Sequence, residues 1–148
     1  MRISSKGRYG LASLTSMAQN YDSDTCTTII SISEKLGISK IYLEQVFSLL
    51  KRAELVVAIK GAQGGYKLSR SPQEINAFDI LRALEQSLFE KTEESVSKNA
   101  NDIEQALQQT VYSAVDTAVA RALEKITLYD LVTETEKQKN TDELMFYI

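Results

Sequence analysis

Few side chains in this sequence can do covalent or metal chemistry. It has a single cysteine, Cys26, and no histidine. A zinc site of Cys and His ligands therefore cannot be assembled within one chain, and a nucleophile waiting on an imidazole base has none. The adjacent carboxylates Glu93 and Glu94 could serve as an acid and a base, but they sit in a polar stretch where a solvated charge run is the ordinary reading. What remains is KGAQGGYK, residues 60–67, with three glycines between Lys60 and Tyr66. A phosphate-binding loop ends in Gly-Lys-Ser/Thr and opens into a helix, and a dinucleotide fingerprint needs GxGxxG in the same setting. This run has neither spacing and continues into the strand-like YKLS. Its glycines instead suit a hairpin tip, where positive φ and close backbone approach are required. No catalytic residue, metal ligand or cofactor is expected.

The elements that would hold this tip can be read on both sides of it. Leu11, Leu14, Met17 and Ala18 recur at helical spacing in a segment from Ser5 to Asn20, with Lys6 and Arg8 at its entrance. After the polar break YDSDT, Thr28 can cap a short helix carrying Ile29, Ile32 and Leu36, and Gly37 can end it. Ser39 offers a second N-cap two residues later. From there Leu43, Val46, Phe47 and Leu50 form one apolar face, opposite Lys40, Tyr42, Glu44 and Gln45. Two short helices joined by a glycine-containing turn, the second polar on its exposed side, make the pattern of a helix-turn-helix.

LVVAIK and YKLS flank the loop GAQGG and predict a β-hairpin. Pro72 and Asn76 then introduce a helix with Phe78, Ile80, Leu81 and Leu84, its N-terminus completed by Asp79. Residues 87–101 lose periodicity and read as a linker. From Asp102 to Ile126 two apolar stripes recur, one through Ile103, Leu107, Val111, Ala114, Ala118 and Ala122, the other through Val115, Val119, Leu123 and Ile126. Such a helix would be roughly 35 Å long, more than so small a monomer can cover on both stripes, and its alanines suit a close partner helix. A short element, TLYDLV, precedes a polar tail that ends on LMFYI.

The formal charge of -3 conceals a division. Residues 1–70 hold ten Lys and Arg against five Asp and Glu, a net of +5, whereas residues 71–148 hold seven against fifteen, a net of -8. A basic first half and an acidic second half suggest that only the first meets a polyanion. No apolar run reaches the roughly 18 residues of a membrane span, and the N-terminus lacks a signal-peptide pattern, so a soluble cytoplasmic protein is expected.

KGRYGL, GISKIYLEQVFSLLKRAELV and KGAQGGYKLS, in this order and spacing, resemble the winged-helix transcription regulators of the IscR/CymR family, over nearly the whole chain. The resemblance implies a mainly α fold with a small β-hairpin: a winged helix-turn-helix DNA-binding domain over 1–86, a linker over 87–101, a dimerisation helix and short terminal helix over 102–132, and a C-terminal tail over 133–148. It implies a homodimer on double-stranded DNA, with Ser39, Lys40, Ile41, Tyr42, Glu44 and Gln45 at the major groove and Lys60 and Gly61 of the wing at the minor groove. Many family members carry arginine where Lys60 stands; lysine keeps the charge but loses the planar fork. By their chemistry, Gln45 can pair with adenine, Glu44 can accept from cytosine, and Ile41 can meet a thymine methyl. Lys6, Arg8, Tyr42 and Lys51 are better suited to phosphates. The plainer alternative for Ile41 and Tyr42 is packing.

The iron-sulfur branch of this family places cysteines between the post-wing helix and the long helix. Here Ser87 to Asn101 contains neither Cys nor His, so the resemblance points to the cysteine-metabolism branch and no cluster is expected. The ending Met145, Phe146, Tyr147, Ile148 resembles that of cysteine-metabolism repressors, whose partner is cysteine synthase, an enzyme that captures C-terminal isoleucines. The alternative is that this apolar tip docks on its own fold or a sister subunit. Cys26 stands where some of these repressors carry an oxidation-sensing cysteine, which implies a second regulatory reading without an enzyme partner. Its alternative is a small apolar packing residue.

Overall fold

The computed structural model describes residues 2–22 and 24–147, without the side chain of Tyr147. Helix α1 (Ser5–Gln19) starts on Ser4, whose hydroxyl accepts from the Gly7 amide, and α2 (Ile29–Leu36) starts on Thr28, which accepts from Ser31 N. Gly37 takes φ +69° to end α2, the left-handed cap that favours glycine. Ser39 then caps α3 (Lys40–Arg52), and the expected two-helix unit is formed. Strands β1 (Val56–Ile59) and β2 (Gly65–Leu68) pair antiparallel, Val56 opposite Leu68 and Ile59 opposite Gly65. The hairpin loop is thus residues 60–64, one residue earlier than GAQGG, because Gly65 joins the ladder.

A 3-10 turn (Pro72–Glu74) leads to α4 (Ala77–Leu84), capped by Asn76 through the Asp79 amide. The Asp79 carboxylate was expected to close that cap; it faces Arg70 at 3.6 Å instead. The core gathers α1, α2, α3, α4 and the hairpin around Leu14, Phe47, Ile75 and Ile80, all fully buried. Two glycines let α1 approach α4: a Cβ on Gly10 would lie 2.1 Å from Leu84 Cδ1, and one on Gly7 would lie 2.6 Å from Glu85 Oε1. The buried Glu85 carboxylate in turn accepts the Ser4 amide at the start of α1.

The expected linker over 87–101 begins within a 3-10 turn (Gln86–Phe89) and is then pinned by one side chain. Glu104, fully buried, accepts from Ser95 N at 2.5 Å and Val96 N at 2.8 Å through Oε1. Those amides of Val96 and Ser95, ahead of a smaller contribution from Gln108, hold its carboxyl below the usual range against the opposing effect of burial. The long helix runs through α5 (Asn101–Leu107), a π-helical stretch (Gln108–Tyr112) and α6 (Ser113–Glu124). The π segment changes which residues share a face, and α6 buries none of its residues within one chain.

The short terminal element and the polar tail that follows it form one helix. Helix α7 runs continuously from Leu128 to Tyr147. The stretch lacks Gly and Pro, carries Glu and Lys at close spacing, and forms i,i+3 ion pairs, Lys137 with Glu134 at 4.0 Å and Lys139 with Glu136 at 3.7 Å. Its first turn belongs to the core: Leu128 is fully buried, and its amide donates to Ile75 O at 2.9 Å.

Candidate nucleic-acid interface

Helix α3 divides cleanly between core and solvent. Leu43, Val46, Phe47 and Leu50 are buried, while Lys40, Ile41, Glu44, Gln45 and Ser48 are exposed. Ile41 is 72% exposed, so its apolar side chain is displayed rather than packed. Ile41, Glu44, Gln45, Ser48 and Leu49 line one shallow groove along the helix. Ser48 was missed by the sequence reading. It lies one turn beyond Glu44, so extending the i, i+4 count past Gln45 would have found it. Ser39 is exposed, with its hydroxyl engaged by Tyr42 N at 3.2 Å, and Lys40 sits 4.0 Å from Glu44.

Tyr42 differs from its neighbours. It is half-buried, and its ring meets Tyr9 edge-on at 5.1 Å, joining the entrance of α1 to the first turn of α3. Packing is therefore its observed environment. The contact also brings the basic entrance of α1 near α3. Arg8, exposed, donates to Ile3 O and Ser5 Oγ, each at 3.1 Å, and so folds back on its own helix start. Lys6 is half-buried on the same turn, and Lys51 is exposed at the far end of α3.

The hairpin tip presents Lys60 and Gly61, both exposed. Gly61 takes φ +112°, and Gly64 donates to Gly61 O at 3.0 Å with Ile59 O only 2.1 Å from where a Cβ would stand. Only glycines fit these two places. Tyr66 fastens the tip's base to α3, its ring 4.9 Å from Phe47. On its other side Tyr66 pairs with Thr27 in an isolated antiparallel bridge that the sequence reading did not foresee. Cys26, half-buried with a free thiol, is the residue before that pairing.

The apolar end of the chain forms the last turn of α7, with Leu144 66%, Met145 71% and Phe146 85% exposed. The side chain of Tyr147 and all of Ile148 lie outside the described residues. Among the described residues, no helix is long and apolar enough to cross a membrane.

Comparison with known proteins matches this architecture. The family model Rrf2, described as an iron-dependent transcriptional regulator, matches residues 3–134. The HTH-type transcriptional regulator CymR of Bacillus subtilis (strain 168) is 35% identical over 152 aligned residues, covering 100% of both chains. The solved structure of CymR, the global cysteine regulator of B. subtilis, has a TM-score of 0.73 at 34% identity, covering 90% of this chain and 98% of that one. The oxidised form of Staphylococcus aureus CymR has a TM-score of 0.67 at 35% identity, covering 89% of this chain and 96% of that one.

The iron in the family's description does not fit the donors of this chain. The interval 87–101 offers no thiolate or imidazole, Cys26 is the single cysteine, and the buried Glu104 carboxylate has Oε1 taken by two backbone amides. No group of three Cys, His, Asp or Glu side chains that could hold a metal occurs among the described residues. The helix-turn-helix, the glycine-tipped wing and the end-to-end match with CymR lead to one conclusion: this chain belongs to the Rrf2 family of DNA-binding transcriptional regulators, on the side that resembles CymR.

Proposed function

We propose that this protein is a dimeric repressor of genes for cysteine and sulfur metabolism, modulated by cysteine synthase bound through its C-terminal end. The observation that carries the DNA-binding part is the exposed face of α3, where Ile41, Glu44 and Gln45 share one groove while Phe47 and Tyr66 tie that helix to the wing bearing Lys60. Gln45 reads adenine, Glu44 accepts from cytosine and Ile41 meets a thymine methyl. Ser39, Lys40 and Tyr42 set the start of the helix against the groove, Lys6, Arg8 and Lys51 hold phosphates, and Lys60 with Gly61 enters the minor groove. Dimerisation has its support in the long helix, where no residue of α6 is fully buried within one chain and Val111 of the π-helical stretch and Val115 of α6 are each 53% exposed. Two subunits related by a twofold axis match a pseudo-palindromic operator. The metabolic assignment rests on full-length similarity to CymR, described for B. subtilis as the global cysteine regulator.

Binding of a labelled operator tests the reading, titrated at several salt concentrations. Gln45→Ala is expected to lose roughly 1–3 kcal/mol of discrimination at one base pair, and Lys60→Ala to weaken binding with a log-log salt slope shallower by about 0.9. If neither variant changed affinity or slope, α3 and the wing would not be the interface. For the partner, deletion of Met145 to Ile148 is expected to abolish co-purification with cysteine synthase; retained binding would remove that part.

A second reading has one observation in its favour. Cys26 directly precedes the Thr27 backbone that pairs with the wing, so oxidation of its thiol would act on the wing's anchor without an enzyme partner.

A further inference from the structure

The hairpin stem is roofed by Tyr21, Asp22 and Thr25, which follow α1, and a cleft of about 270 Å³ lies between them. Its floor is apolar, formed by Met17, Val57 and Leu68. Opposite charges line it: Asp22 belongs to the roof and Lys67 to strand β2. Lys67 is half-buried, yet no carboxylate among the described residues pairs with its ammonium, and the Asp22 carboxylate accepts only from Asp24 N at 3.1 Å. Asn20 lines the same cleft where α1 ends, an end that Lys35 of α2 also reaches, its ammonium 2.7 Å from Gln19 Oε1. Val57, across the ladder from Lys67, stays 42% exposed on that floor.

We propose that this cleft binds a small free α-amino acid. The carboxylate of such a ligand meets Lys67, its ammonium meets Asp22, and a short side chain covers Val57 and Met17. The volume sits just under the few hundred Å³ usual for ligand pockets, which suits a metabolite of this size. A simple carboxylate or a simple amine would leave one of the two charges unanswered. Thr25 and Thr27, on either side of Cys26, line the same cleft, and Thr27 is bonded to β2. Occupancy therefore bears on the link between the Cys26 loop and the wing, independently of which genes the protein controls.

Calorimetric titration of the full chain with each of the twenty amino acids, and with the des-amino carboxylate of any that binds, tests the proposal. At least one small amino acid is expected to bind at ~1 mM or tighter, with its des-amino analogue, Lys67→Gln and Asp22→Asn each weakening binding about tenfold or more. Asp22 lies outside regular structure, so its variant stays informative if Lys67→Gln disturbs the hairpin. No binding at this level would overturn the proposal. Equal binding of the des-amino analogue, or undiminished binding by both variants, would overturn it too.

Discussion

Thr27 and Tyr66 exchange two backbone hydrogen bonds, each 2.8 Å, across an antiparallel pairing that joins the loop before α2 to the second strand of the wing. Because the Tyr66 ring also rests 4.9 Å from Phe47 in the buried face of α3, one residue connects Cys26's loop, the wing and the candidate recognition helix. The three parts must move together or break a contact.

Gly65 makes that pairing sterically possible. A Cβ there would lie 2.6 Å from Thr27 O, at a backbone φ of +153°. Gly65→Ala is expected to cost about 1–3 kcal/mol of stability, read from urea unfolding, with faster exchange of the Tyr66 amide. Unchanged exchange at Tyr66 would show that the pairing is not held by this close approach.

Peroxide treatment should distinguish the two regulatory readings. If Cys26 is the switch, oxidation lowers operator affinity in the wild type and leaves Cys26→Ser unaffected. An equal fall in both proteins, or none in either, removes the thiol from the mechanism.

The Glu104 carboxylate is held below its ordinary value of 4.5 by the amides of Val96 and Ser95. A carboxyl depressed in the folded state adds stability that is fully present above its ordinary value and fades as pH falls through the folded value. Glu104→Gln is therefore expected to unfold at lower urea than the wild type at pH 7, with the gap narrowing in acid below pH 4.5. Equal midpoints at neutral pH would contradict the role assigned to this side chain.

The uncovered face of the long helix gives a test of assembly. Val115, 53% exposed in a single chain, lies on α6, so Val115→Glu should bury a charge in any dimer formed there. Sedimentation is expected to show the wild type as a dimer and the variant as a folded monomer. A dimeric variant with wild-type affinity would place the subunit contact elsewhere.

Much of the fold was legible because its signals are local. Thr28, Gly37 and Ser39 act on amides and carbonyls a few residues away, and the apolar face of α3 follows from a single period. Most of the candidate interface follows with it, since residues opposite a buried face must be exposed. Tyr42 escaped this logic because its ring is taken up by Tyr9, thirty-three positions away in the chain. The helicity of residues 133–147 was hidden for another reason: they have no apolar stripe, so only propensity and Glu/Lys spacing signalled a helix.

Two short glycine patterns show where the division falls. That KGAQGG turns a hairpin was set by the sequence itself, since Gly61 takes a positive φ and Gly64 answers to the carbonyls of Ile59 and Gly61 a few residues away. Why Gly7, Gly10 and Gly65 are glycines was decided only by the tertiary structure, which brings Glu85, Leu84 and Thr27 against them. The same holds for Glu104, one acid among many in the acidic half until the fold closes residues 95 and 96 over it. Local steric and hydrogen-bonding preferences are written along the chain. Close approach between distant segments exists only once the core has formed.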